Sequence, residues 1–109
     1  MSFKKINVIN GPSKFDLMLS LFDQKEIFFT VYSEQKKIKL GFVITKVSFV
    51  NQAESDTWEI AGFITSIVDI IVENDIYIRK EHSLELIYNS RTRKGNIVKN
   101  LSTNQRYDK

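Results

Sequence analysis

The sequence predicts an α+β domain: a curved, mostly antiparallel sheet or small partly open β-barrel of six or seven short strands, with one N-terminal amphipathic helix. Three observations carry this prediction. Short β-rich segments recur between polar gaps of turn length, which makes consecutive strands antiparallel neighbours. Only one segment has a clear helical period. Glycines stand inside two long strand segments, at Gly41 and Gly62, where a bend or bulge lets a small sheet curl.

Each element has its own signal. "FKKINVI" (3–9) reads as a short opening strand, stopped by Gly11 and Pro12. Ser13 then caps a helix over about 13–23, with Asp16 three positions on as the partner acid. Phe15, Met18, Leu19 and Phe22 fall at i, i+3, i+4 and i+7, and this face is expected to dock on the sheet. "EIFFTVY" (26–32) is a strand and "SEQKK" a turn. "IKLGFVITKVSFV" (38–50) is a long strand that places Val43, Thr45, Val47 and Phe49 on one face and Phe42, Ile44 and Lys46 on the other. "TWEIAGFI" (57–64) alternates as a further strand. Residues 65–75 fit either a strand, by their β-branched content, or a helical turn or two, by their spacing. "IYIRKE" (76–81) reads as an edge strand, and "SLELIYN" and "GNIVKN" as two more, with "SRTRK" at a hairpin tip between them. Residues 1–101 make one globular domain, and 102–109 a polar C-terminal tail expected to fray.

At 109 residues, with 42% hydrophobic and 27% charged residues, the chain is large enough for one core and is not compositionally disordered. The absence of cysteine excludes disulfides and thiolate chemistry. No apolar h-region follows the N-terminal lysines, and the longest apolar stretch is broken by Asp69. A cytoplasmic protein without a membrane partner is the expectation.

Charge is segregated. Residues 1–53 carry +4, residues 54–78 carry −6 and residues 79–109 carry +5, for a net +3. Such a layout builds a dipolar surface with one basic face, unless acidic and basic strands pair and cancel. The sharpest cationic cluster is "YNSRTRKGNIVK". Arg91 and Arg93, two apart in a strand, would share a face, and Gly95 would supply a positive φ at the turn. Arginine makes bidentate phosphate contacts, and tyrosine offers a face on which a base stacks. The candidate nucleic-acid contacts are Arg79, Lys80, Tyr88, Arg91, Arg93, Lys94 and Lys99, with Tyr77 and Tyr107 nearby in sequence. A second patch, Lys36, Lys37 and Lys39, strengthens this reading if folding brings it beside Arg91 and Arg93.

Other chemistry has little support. His82 is the sole histidine, lies among charged residues and is expected to be exposed. No credible acid–base pair or glycine-rich phosphate loop is present, and Asp69, Glu73 and Asp75 would converge only if their segment were helical, so neither an enzyme nor a metal or cofactor is expected. Trp58 is expected to be buried. Adjacent apolar pairs such as Phe28-Phe29 imply a strand covered on both faces, one exposed Phe, or a homo-oligomer interface. The functional expectation is a small regulatory domain that binds RNA or single-stranded nucleic acid through a basic β-hairpin. The alternative is a protein–protein interaction module, an adaptor or inhibitor, docking through a sheet edge or the acidic 54–78 stretch.

Overall fold

The structure, a computed structural model, describes residues 5–33, 36–50, 56–68 and 78–107. β1 (Ile6–Asn10) leads into α1 (Lys14–Asp23). β2 (Ile27–Ser33), β3 (Lys36–Phe49), β4 (Thr57–Ile67), β5 (Ser83–Asn89), β6 (Lys94–Asn100) and β7 (Gln105–Arg106) follow. Each strand pairs antiparallel with the next, and β1 also pairs with β6. That extra pairing closes β1–β6 into an up-and-down barrel, with β7 added on the outer part of β6. The α+β small barrel predicted from the sequence is the fold observed, and it is closed rather than partly open. Closure gives each of the first six strands two neighbours, although β3 beyond Phe42 pairs only with β4 and its Ile44 N–H bonds to α1 instead.

Strict alternation sets the core. Ile27, Phe29 and Val31 of β2 point inward, as do Trp58, Ile60 and Ile64 of β4 and Leu84, Leu86 and Tyr88 of β5. The Phe29 ring meets the edges of Phe42 and Tyr88, with centroids 5.6 and 5.2 Å apart. Edge-to-face packing of this kind adds to the area that the rings remove from water. Trp58 is buried as expected, and its indole N–H donates to Ser90 Oγ at 3.0 Å.

β3 turns the barrel through two irregularities. Its register against β4 shifts between Gly41 and Phe42 and again between Ile44 and Lys46. The second shift leaves Thr45 as an extra residue and reverses the side-chain alternation beyond it. The expected face of Val43, Thr45, Val47 and Phe49 is therefore split. Phe42 and Ile44 point inward before the bulge, and Val47 packs on the core after it.

α1 closes the end of the barrel where β1 leaves and β2 enters. Ser13 caps it: its hydroxyl accepts from the Asp16 N–H and donates to the Asp16 carboxylate, both at 3.2 Å. Lys25 donates to Asp16 at 3.1 Å, and with the Ser13 bond it holds that carboxyl below the usual aspartate range, against a smaller opposing effect of burial. The docked face differs from the one the spacing predicts. Leu17 and Ser20 are buried, and Met18 and Leu21 pack on the core, whereas Phe15 and Phe22 are 70% and 72% exposed. The reason is polar. The buried Ser20 hydroxyl accepts from the Ile44 N–H at 3.0 Å beside the β3 bulge, and only this rotation of the helix delivers it there.

Two further expectations are corrected. Residues 78–82 form no strand. Lys80 and Glu81 make a turn in which Glu81 has φ 78°, and the Glu81 N–H and His82 carbonyl bond to Ile64. The tail from 102 is tied down as far as Tyr107: Gln105–Arg106 pair with β6, and Tyr107 is buried with its N–H on the Val98 carbonyl at 3.0 Å. A tyrosine ring at the end of a polar run is enough apolar surface to anchor it. The strand-or-helix question at 65–75 is answered only at its start, since Thr65–Ile67 belong to β4 and residues 69–77 lie outside the described residues.

Candidate nucleic-acid interface

The β5–β6 tip is a turn, Ser90 to Arg93, rather than strand, so Arg91 and Arg93 do not share a strand face. Asn89 Oδ1 accepts from the Arg91 and Thr92 N–H groups at 2.9 and 3.0 Å. Arg93 takes the left-handed conformation, φ 64°, that glycine was expected to supply. No described glycine has a positive φ. Gly95 lies instead in β6 opposite Tyr88, where a Cβ would run into the Ile87 carbonyl oxygen; close strand approach is what requires it.

Several predicted ligand contacts turn out to hold the fold. Tyr88 is fully buried and its hydroxyl donates to the Pro12 carbonyl at 2.7 Å, so it offers no stacking surface. Its inward position follows from its alternation with Leu84 and Leu86. Tyr107 is likewise in the core, and Tyr77 lies outside the described residues. The Arg93 guanidinium donates to the Gly11 carbonyl at 3.1 Å. Tyr88 and Arg93 thus pin the β1–α1 corner from the β5–β6 hairpin. Arg91 lies 3.7 Å from Asp56, an exposed contact that stabilises little. His82 is half-buried, with Nδ1 3.0 Å from the buried Asn100 amide, and is not the exposed loop residue expected.

The predicted cations do not form one patch. β1 is antiparallel to both β2 and β6. The end of β2 and the start of β3, Ser33 and Lys36, therefore lie at the N-terminal end of β1 and the β5–β6 tip at its C-terminal end. Five residues of strand separate them, about 15 Å. Lys37 and the pair Arg91 and Arg93 accordingly stand at opposite ends of the barrel. Arg79 and Lys80, just before β5, are also remote from the tip. Lys99 faces Glu85 on one side and Arg106 on the other.

A different set does converge. The pairings run Lys37–Tyr32–Asn7–Asn96 across β3, β2, β1 and β6 as one outward row. Lys39 and Thr30 form the adjacent pair, and the Lys39 ammonium lies 5.0 Å from the Phe28 ring centre. Lys5, Lys94, Asn7, Ile9, Gly95 and Asn96 line a shallow groove of about 590 Å³ along the β1–β6 seam, where the Asn96 amide donates to Asn7 at 2.9 Å. Lys5, Lys37, Lys39 and Lys94 are all exposed. No carboxylate lies among the described outward residues of these strands. Asp16 and Glu26 bound the face at the α1 end, and Glu59 and Glu85 lie on β4 and β5 with Lys46. Of this set Lys37, Lys39 and Lys94 were singled out in the sequence. Lys5, Asn7, Tyr32 and Asn96 were missed, although each alternates with an inward Ile or Val: Ile6, Val8, Val31 and Ile97.

Among the described residues no three His, Asp or Glu side chains stand close enough to hold a metal ion. No helix among them is long and apolar enough to cross a membrane. Fold and surface define a helix-capped, closed up-and-down barrel with one lysine-bearing face. No protein-family model, curated protein or solved structure matches this chain.

Proposed function

We propose that the protein binds single-stranded nucleic acid, RNA or DNA, across the outer face of β1, β2, the first half of β3 and β6. The observation that carries this is the face holding Lys5, Lys37, Lys39 and Lys94 around Tyr32 and Phe28, whose described strand residues carry no carboxylate and which meets one, Glu26, only at its edge over Gly41. The lysines meet phosphates as point charges, and the half-exposed aromatic rings give bases a surface to stack on. The Asn7–Asn96 amides sit between them as hydrogen-bonding groups for base edges or 2′-hydroxyls. A convex sheet surface accommodates a flexible single strand more readily than a rigid duplex. The face replaces the hairpin tip as the principal contact. Lys94 belongs to both, whereas Arg93 and Tyr88 are occupied in the fold.

Fluorescence anisotropy with a labelled single-stranded oligonucleotide tests this. Four phosphate contacts give a log–log salt slope of roughly −3. The double variant Lys37→Glu/Lys94→Glu is expected to lose affinity by about tenfold or more, and Arg91→Gln to change it by less than about threefold. Affinity independent of salt, or a double variant that binds like wild type, would sink the proposal. Tight, salt-tolerant capture of a protein in its place would favour the interaction-module alternative.

A further inference from the structure

We infer that the groove along the β1–β6 seam holds the sugar–phosphate backbone of the strand and recognises its 2′-hydroxyl, so that the ligand is RNA rather than DNA. This rests on the nucleic-acid binding proposed above and narrows it to one substrate class. Asn7 and Asn96 are direct cross-strand partners, and both line the groove. Asn7 is exposed and Asn96 half-buried, so both amides reach solvent. The Asn96 amide donates to Asn7 Oδ1 at 2.9 Å. A primary amide carries two N–H donors and a carbonyl acceptor with two lone pairs. Their mutual bond therefore leaves the N–H groups of Asn7 Nδ2 and the oxygen of Asn96 Oδ1 without a partner among the described residues. Reversing which amide donates gives the same result, a free N–H beside a free carbonyl oxygen.

That pair specifies the group it meets. Phosphate and deoxyribose oxygens only accept, so DNA can satisfy the N–H but not the carbonyl. A 2′-hydroxyl does both: it accepts from Asn7 and donates to Asn96. The surroundings of the pair hold backbone rather than base. Lys5 and Lys94 line the groove in opposite directions from the amides, each two residues along its own strand, about 7 Å. None of the lining residues is acidic. Phosphates seated on these two ammoniums bring the intervening sugar against the amides. The base turns toward the half-buried Tyr32, which pairs with Asn7 from the β2 side. Base edges also donate and accept. The lysines at both ends nevertheless keep phosphate in the groove, so the sugar and not the base reaches Asn7 and Asn96.

Fluorescence anisotropy with labelled oligouridylate and oligodeoxyuridylate of equal length tests the inference. Uridine runs stack little, so a preformed helix in the RNA does not enter the comparison. The RNA is expected to bind roughly tenfold more tightly at the same salt concentration. A 2′-fluoro strand keeps the sugar pucker of RNA but cannot donate, and it is expected to bind like the DNA. Asn7→Val/Asn96→Val removes both amides and keeps strand-forming residues. This variant should lower RNA affinity to that of DNA, with the circular dichroism spectrum, the DNA affinity and the salt slope unchanged. Salt-dependent binding of both strands with no preference for RNA would overturn the inference and leave nucleic-acid binding standing. So would a preference for RNA that survives in the double variant, or a 2′-fluoro strand that binds like RNA. Salt-dependent binding of neither strand would remove nucleic-acid binding itself, and the choice of RNA with it.

Discussion

Tyr88 shows how one residue trades a surface role for a structural one. Burial pushes its phenol well above the ordinary tyrosine range, with the Arg93 charge opposing weakly. Burial does the same to Tyr107, partly offset by its hydrogen bond with Asn100. Each folded pKa is raised above the unfolded value of 10.0, so the neutral phenol is the form the fold prefers. Their contribution is complete below that value and is lost as pH rises through the folded pKa. Thermal stability followed by circular dichroism should therefore fall above about pH 10. Tyr88→Phe should make that fall shallower, while costing about 1–2 kcal/mol at neutral pH by leaving the Pro12 carbonyl without its donor. An alkaline limb unchanged by Tyr88→Phe would contradict this account.

At the scale of elements, polar side chains decide how the strands and helix meet. Ser20 is the link between α1 and β3. Ser20→Ala strands a buried Ile44 N–H and is expected to cost about 1–3 kcal/mol in urea unfolding, more than the lost hydroxyl volume alone would. The β5–β6 and β6–β7 connections use the same four-residue turn. Asn89 and Asn100 each accept two successive N–H groups through Oδ1, and Arg93 and Asn104 each close the turn at φ 64°. The two asparagines differ in burial. Asn89 is half-buried, and Asn100 is fully buried with its amide also meeting His82 and Tyr107. Asn89→Ala should cost about 1 kcal/mol and Asn100→Ala about 3 kcal/mol, because only the latter leaves buried polar partners unmatched. Equal losses in paired denaturation curves would show that the turn alone sets both.

At the scale of the whole molecule, closure of the barrel distributes the charge. β1 is short but has two partners, and through it Lys37 on β3 and Lys94 on β6 come onto one continuous outer surface. The same closure carries the β5–β6 tip to the α1 end, among Asp16, Lys25 and Glu26. If the lysine face binds a polyanion, its contacts are spread along that face and should act additively. Lys37→Gln alone is then expected to reduce the salt slope by about one unit, as is Lys94→Gln, whereas Arg91→Gln leaves it nearly unchanged.

Much of the fold was legible along the chain. The alternation in SLELIYN places Leu84, Leu86 and Tyr88 inward, and Ser13 with Asp16 marks the start of α1, because strand periodicity and capping are local properties of neighbouring residues. The candidate site was legible only in part, since Lys37, Lys39 and Lys94 stood out as cations while nothing local joined them to Lys5 or Tyr32. Local spacing also chose the wrong face of α1: the larger side chains make the stronger stripe, but a serine hydroxyl and a strand N–H 24 positions apart set the rotation. The sequence by itself determined most of the elements and the core alternation of β2, β4 and β5. Only tertiary structure decided which cations share a surface, because strand pairing and barrel closure join residues as distant as Asn7 and Asn96, and no periodicity within either segment encodes that contact.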